Sequence, residues 1–273
     1  MTCAVTDGVA DVRLNRPDKH NALDPAMFDA LVTTGVRLSE DQRVRAVVLS
    51  GAGRSFCSGL DFASFQAMAE PGRLPDELRA PAQALGPARA LGQQAAYVWT
   101  ALPVPVIAAV HGAAFGGGLQ VMLGADIRIA APDATLSVME IRWGLIPDMT
   151  GTQLLPELVG RDVAKELTFT GRQVSGEEAA ALGLVTQAAS DPFDAACRLA
   201  TEIASKSPDA IRRSKQLLDA AGRVSLDEGF DAEQHAIHAL IGTPNQVEAI
   251  EANLARRPPQ FADPRPGDRP PFR

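Results

Sequence analysis

Residues 106–120 read VIAAVHGAAFGGGLQ. A short apolar run, too short for a helix, passes through a histidine and small residues into three glycines and a second apolar run. The order predicts a buried strand, a turn, and a helix whose first N–H groups face that turn. The glycines let the backbone come close to another molecule, and the helix start favours negative charge. A bound phosphate or an oxyanion suits this arrangement, and a tight structural turn is the plainer alternative. No Lys-Ser/Thr pair follows the glycines and the spacing is not G-x-G-x-x-G, so neither a Walker loop nor a dinucleotide fingerprint is present.

The rest of the N-terminal half repeats the strand–turn–helix theme. Val9–Leu14 alternates as a strand, and Asp24-Pro25 reads as a helix start with Met27, Leu31 and Val32 on one face. Ala46–Leu49, Val104–Val110 and Ile127–Ala130 are short apolar runs bounded by Gly or Pro, each predicted as a buried strand. This alternation argues an α/β protein. Beyond about residue 150 strands nearly vanish. Ser175-Gly176-Glu177-Glu178 opens a helix that Gly183 closes, Ser207-Pro208 and Thr243-Pro244 open two more, and Leu226–Ile241 is helical. Residues 68–97 read as a loop plus a surface helix. Residues 258–273, rich in Pro and Arg, read as an extended or mobile tail.

Composition narrows the function. The 273 residues carry 26 Lys+Arg against 33 Asp+Glu, a net charge of −7 that opposes bulk nucleic-acid binding. Cys3, Cys57 and Cys197 fit neither a disulfide framework nor a zinc spacing, which points to a reducing compartment. The N-terminus has no basic stretch followed by an apolar one, and no apolar run nears the ~20 residues of a membrane span. The expectation is a soluble cytoplasmic protein with no metal, membrane or nucleic-acid partner.

Two further segments carry chemistry. In RSFCSGLDF (54–62), Gly59 permits close approach, while Cys57 and Ser58 lack the G-x-S-x-G elbow of a nucleophile. His111 reads as a hydrogen-bonded structural residue more readily than as a base. In MEIRWGLIPDMTGTQ (139–153), Glu140 and Asp148 sit among apolar residues, where a carboxyl pKa rises toward the range a proton shuttle needs. Surface exposure or pairing with Arg142 is the alternative.

Taken in order, NRPxxxNAL (15–23), SFCSGLDF, HGAAFGGG and GLIPDMTGTQ resemble the enoyl-CoA hydratase/isomerase (crotonase) family, over about Val9 to Phe261. The resemblance implies an α/β crotonase-type superhelix of repeated β-β-α turns. Its core would be residues 1–200, with a helical oligomerisation region at 201–257 and the tail at 258–273. It implies homotrimers or hexamers acting on an acyl-CoA thioester, with coenzyme A entering as part of the substrate and no other cofactor. By the same resemblance, the N–H groups of Leu60 and Gly117 form an oxyanion hole. Ala22, Ser58, Asp61 and Phe62 match the coenzyme A path, and Arg256, beside Arg257, matches a phosphate contact.

The acids depart from the hydratase pattern. That pattern implies two glutamates, and only the later is present, as Glu140. Gln120 stands at the earlier position, and an amide neither gives nor takes a proton at neutral pH. Asp148 occupies a position that is usually glycine and resembles the dienoyl-CoA isomerases, although those usually keep an acid at the position of Gln120. Glu140, Asp148 and Gln120 are therefore the candidate catalytic residues. Isomerisation of an enoyl- or dienoyl-CoA in fatty-acid breakdown is favoured over hydration by a single glutamate, and over a non-catalytic scaffold. A serine peptidase built from Ser58 and His111 lacks a third partner.

Overall fold

The computed structural model describes residues 1–68 and 85–264. Strands β1 (Thr2–Thr6) and β2 (Val9–Leu14) form a hairpin, and α1 (Pro25–Glu40) leads to β3 (Ala46–Gly51). Then come α2 (Phe62–Met68), α3 (Leu91–Ala101), β4 (Val106–Val110), β5 (Ala113–Phe115) and α4 (Gly117–Leu123). Next are β6 (Ile127–Ala130), β7 (Thr135–Ser137), α5 (Gly151–Val159) and α6 (Arg161–Thr170). The chain continues through β8 (Val174–Ser175), α7 (Gly176–Leu182), β9 (Gln187–Ala188) and α8 (Pro192–Ala204). It closes with α9 (Pro208–Ala220), α10 (Leu226–Leu240) and α11 (Pro244–Leu254).

One sheet has the order β1-β2-β3-β4-β6-β9, a second β5-β7-β8. Apart from the β1–β2 hairpin the large sheet is parallel. Each pass repeats one move: β4 belongs to the large sheet, β5 to the small one, and α4 follows; β6 and β7 repeat the step. These are the β-β-α turns that the motifs implied. Both faces of the sheet's centre are covered, which is why β3 and β4 read as unbroken apolar runs. Val47, Leu49, Ala108 and Val110 face the main core, while Val48, Ile107, Ala109 and Ile129 pack with Ala196 and Ala200 of α8.

Local signals survive folding where chemistry fixes them. Asp24 caps α1 by accepting from Met27 N at 2.8 Å, and Ser175 and Thr243 cap α7 and α11 through their side chains. Ser207 precedes α9 but makes no side-chain cap bond. The strand expected at Val104–Val110 begins only at Val106, whose N–H is taken by Asp126 Oδ2 at 2.7 Å. The helix expected to cross the surface within 68–97 is α3, which runs on to Ala101 but is a core helix, packed on α1 with Ala95, Ala96, Val98 and Trp99 buried; residues 69–84 lie outside the described residues.

The C-terminal helices are tied to the core by charge. Lys215 of α9 pairs with Asp126, and Arg212 donates to Val44 O at 3.1 Å. The described part of the tail is extended but anchored: Arg45 holds Asp263 at 2.8 Å and Asn245 Oδ1 accepts from Ala262 N at 2.9 Å. Residues 265–273 lie outside the described residues. Among the described residues no helix is long and apolar enough to cross a membrane.

Candidate active site

The site begins with a parallel seam between two loops. Cys57 N–H donates to Ala113 O at 3.0 Å, and Phe115 N–H donates to Cys57 O at 3.0 Å. A second bridge joins Leu23 and Leu60: Leu23 N–H donates to Gly59 O at 2.8 Å, and Asp61 N–H to Leu23 O at 2.9 Å. In a parallel bridge of this kind the central residue's own N–H points the other way. Leu60 N–H therefore has no protein acceptor among the described residues. Gly117 is the first residue of α4, so its N–H lacks an intrahelical partner too.

Glycines bring these two donors together. Gly59 has φ +90°, and a Cβ there would stand 2.7 Å from Phe115 O and 3.8 Å from Gly117 N. A Cβ on Gly118 would lie 2.4 Å from Cys57 O. The structure thus brings Leu60 and Gly117, the two predicted donors, to one place.

Glu140, the candidate base, stands beside them. Glu140 opens the short 3-10 turn Glu140–Trp143 and is buried; a Cβ on Gly116 would sit 3.4 Å from its Oε1. Oε1 accepts from Gln120 Nε2 at 2.6 Å, whereas Oε2 is buried with no partner among the described residues. Burial pushes the carboxyl above the usual glutamate range, the Gln120 bond opposes that rise, and Asp148 adds to it. Asp148 is exposed, yet partial loss of hydration raises its carboxyl too.

Gln120 is the tie between these acids. Its Oε1 accepts from Met149 N at 2.8 Å and Gly151 N at 3.0 Å while its Nε2 serves Glu140. The bond pattern fixes which way the amide points. Glu140, Gln120 and the backbone next to Asp148 therefore form one connected unit.

The residues matched to a coenzyme A path lie on both sides of the Leu23–Leu60 bridge. Ala22 O accepts from Arg16 at 2.6 Å, and Ser58 N–H donates to His20 O at 2.9 Å. The Asp61 carboxylate is already engaged, capping α2 through Ala63 N–H at 3.0 Å and pairing with Arg16 at 3.1 Å. The capping bond first, and Arg16 with it, holds this carboxyl below the usual range. Phe62 is exposed. Arg256 lies just past α11 with φ +51°, and among the described residues no hydrogen bond or ion pair ties it to Glu140 or the two donors.

Several neighbours settle the other sequence expectations. His111 Nε2 bonds Gly53 O at 2.9 Å, the structural role expected for it. Cys57 is buried, its thiol pushed up to about 12 by burial, so it is no nucleophile near neutral pH. Sequence reasoning quoted Asn21 and Arg16 within a motif without assigning them work. Asn21 is buried at φ +57°, accepts from Arg16 N at 2.8 Å and donates to Ala52 O and Ser55 O at 2.9 and 2.8 Å. It knots together the loops that carry Leu60. An Asn inside a Pro-containing turn was the available signal, since Asn tolerates the left-handed region.

This geometry can remove a proton beside a carbonyl and hold the resulting oxyanion on two backbone donors. The chain is similar over residues 4–264 to the family model described as enoyl-CoA hydratase/isomerase. It is 35% identical over 263 residues to the mouse protein "Enoyl-CoA hydratase domain-containing protein 2, mitochondrial", covering 93% of this chain and 84% of that one. It is also 35% identical over 255 residues to rat "Delta(3,5)-Delta(2,4)-dienoyl-CoA isomerase, mitochondrial", covering 91% and 77%. Among solved structures, an enoyl-CoA hydratase from Bacillus anthracis superposes with TM-score 0.85 at 32% identity, covering 95% of this chain and 98% of that one. The seam, the paired donors and the buried glutamate thus lie in a chain that belongs to the enoyl-CoA hydratase/isomerase family.

Proposed function

We propose that the protein is an acyl-CoA isomerase that moves a double bond along an enoyl- or dienoyl-CoA. The reading is carried by one observation: Gln120 occupies its carbonyl oxygen with two backbone N–H groups and its amide nitrogen with Glu140. A hydration scheme needs a second group at that place to exchange protons with water, and this amide cannot do so. Glu140 Oε2 removes the α-proton, and the negative charge passes to the thioester oxygen held by Leu60 N–H and Gly117 N–H. Donors of this kind are each worth ~100–1000-fold in rate. The proton is returned farther along the conjugated system, by Glu140 itself for a simple enoyl shift or by Asp148 for a dienoyl shift. One proton leaves and one arrives, so the product has the substrate's mass.

Coenzyme A enters as part of the substrate along Ala22, Ser58, Asp61 and Phe62, with Arg256 as a phosphate contact. The enzyme works as a homotrimer or hexamer. Exposed Ile237, Ile241, Val247, Ile250 and Leu254 on and beside α10 and α11 support the assembly.

The test is incubation with 2-enoyl-, 3-enoyl- and 3,5-dienoyl-CoA, with products read by mass spectrometry and ultraviolet absorbance. Isomers of unchanged mass support the proposal; brisk gain of water from 2-enoyl-CoA overturns it. Asp148→Asn should cut dienoyl turnover by at least ~100-fold while leaving a simple enoyl shift within a few-fold.

A further inference from the structure

Three aromatic rings stand where the two walls of the site meet. Phe62 and Phe65 belong to α2, which begins two residues after the donor Leu60, and Trp143 ends the 3-10 turn that Glu140 begins. Trp143 stacks on Phe65 with ring centres 4.4 Å apart and planes 23° from parallel. It meets Phe62 edge to face, at 6.1 Å and 86°. With about three residues per turn, positions i and i+3 of a 3-10 helix lie one above the other, so Trp143 rises on the side of the turn that carries the base.

The exposure of these rings argues against packing as their whole purpose. Phe62 is 73% exposed and Trp143 48%. Phe62 and the open face of Trp143 add apolar surface that nothing among the described residues covers. An acyl group pinned by Leu60 N–H and Gly117 N–H, and reached by Glu140, has these rings within the next few residues of both segments. Aromatic faces and edges reward a flat π-system beyond simple area burial, and a puckered or flexible saturated group gains only the area.

We infer that Phe62, Phe65 and Trp143 form an aromatic wall that selects acyl-CoA thioesters with a planar conjugated or aryl acyl group over saturated groups of the same size. The inference rests on the site being an acyl-CoA site, and it is independent of which reaction follows.

Calorimetric binding of 3-phenylpropanoyl-CoA and 3-cyclohexylpropanoyl-CoA to the full chain tests it. The two acyl groups share one carbon skeleton, differ in ring planarity, and have no alkene to hydrate or isomerise. The phenyl thioester should bind about fivefold to tenfold more tightly. Trp143→Leu should erase that preference with affinity for free coenzyme A unchanged, and Trp143→Phe should restore most of it. Equal affinities in the unmodified protein overturn the proposal, as they would if another copy of the chain covered the rings. A Trp143→Leu variant that loses coenzyme A and both thioesters alike overturns it too, because that is a packing role. If Trp143→Leu fails to fold, Phe65→Leu and the unmodified protein decide the question. Failure of the isomerase assay would leave this preference standing, and loss of the preference would leave that assay untouched.

Discussion

Gln120 donates to Glu140 Oε1 at 2.6 Å, and the other oxygen of the same carboxylate is buried without a partner among the described residues. One oxygen is held and the other is available to react. That asymmetry gives the base a fixed aim, and it costs stability whenever the carboxylate is charged.

Glu140→Gln should abolish every reaction at the α-carbon, a loss of at least ~100–10,000-fold in turnover. Free coenzyme A should bind as before. Stability should move the other way. A carboxyl whose folded pKa is raised holds its proton more tightly when folded, so its stabilising contribution is complete below the unfolded pKa and is lost as pH rises through the folded one. The variant should therefore melt about 2–4 °C higher at pH 8, the shift that ~1 kcal/mol of relieved burial produces in a domain of this size. Near pH 4 the difference should vanish. Thermal melts across that window check the sign.

Gln120→Glu should create a pair of facing carboxylates that share one proton. The rising limb of the isomerase pH profile should move to higher pH, because Glu140 must ionise beside a second acid. Hydration of 2-enoyl-CoA should rise by about tenfold or more once the missing exchange partner is supplied. A profile unchanged in both position and product would mean that Gln120 is a passive support.

Leu60→Ala keeps the N–H and should leave turnover within a few-fold. Gly59→Ala should be far worse, since φ is +90° and the new Cβ would lie 2.7 Å from Phe115 O. Moving the donor should cost on the order of 100–1000-fold while circular dichroism stays native. Leu60→Ala abolishing activity in a folded protein would remove the donor assignment.

Light scattering at micromolar concentration should give the mass of three or six chains. Ile241 is 63% exposed and Leu254 82%, unusual for large apolar side chains facing water. Ile241→Asp combined with Leu254→Asp should shift the mass toward one chain. A stable monomer in the unmodified protein ends the oligomer proposal.

The parts of this molecule legible in its sequence are those fixed by neighbouring residues. The apolar runs of β3, β4 and β6, the Asp24 and Thr243 caps and the Gly183 stop all follow from local chemistry. Most of the missed elements depend on distant partners, α8 excepted, since Asp191-Pro192 opens it with the same cap and first-turn proline that announce α1. β1 is exposed at alternate positions and exists through its pairing with β2, and β5, β7, β8 and β9 have two or three residues each. Helix α5 carries Pro156 within it and is preceded by Thr150 at φ +78°, so local propensity speaks against it. The site divides the same way. Leu60, Gly117 and Glu140 were found through motifs, but the clamp from Gln120 to Met149 and Gly151 spans 29 and 31 residues, which no local pattern encodes.

The donors at 60 and 117 are main-chain atoms, set by the Leu23–Leu60 bridge and by the glycines around them. Their placement is consequently set by backbone pairing rather than by the side chains at 60 and 117. On the proposed mechanism, exchanges at 120 and 148 should redirect where protons travel without rebuilding that pair of N–H groups. For anyone re-engineering this scaffold, the backbone seam is the part to leave alone, and the three polar positions are best changed together, because Gln120 is bonded to Glu140 and to the backbone beside Asp148.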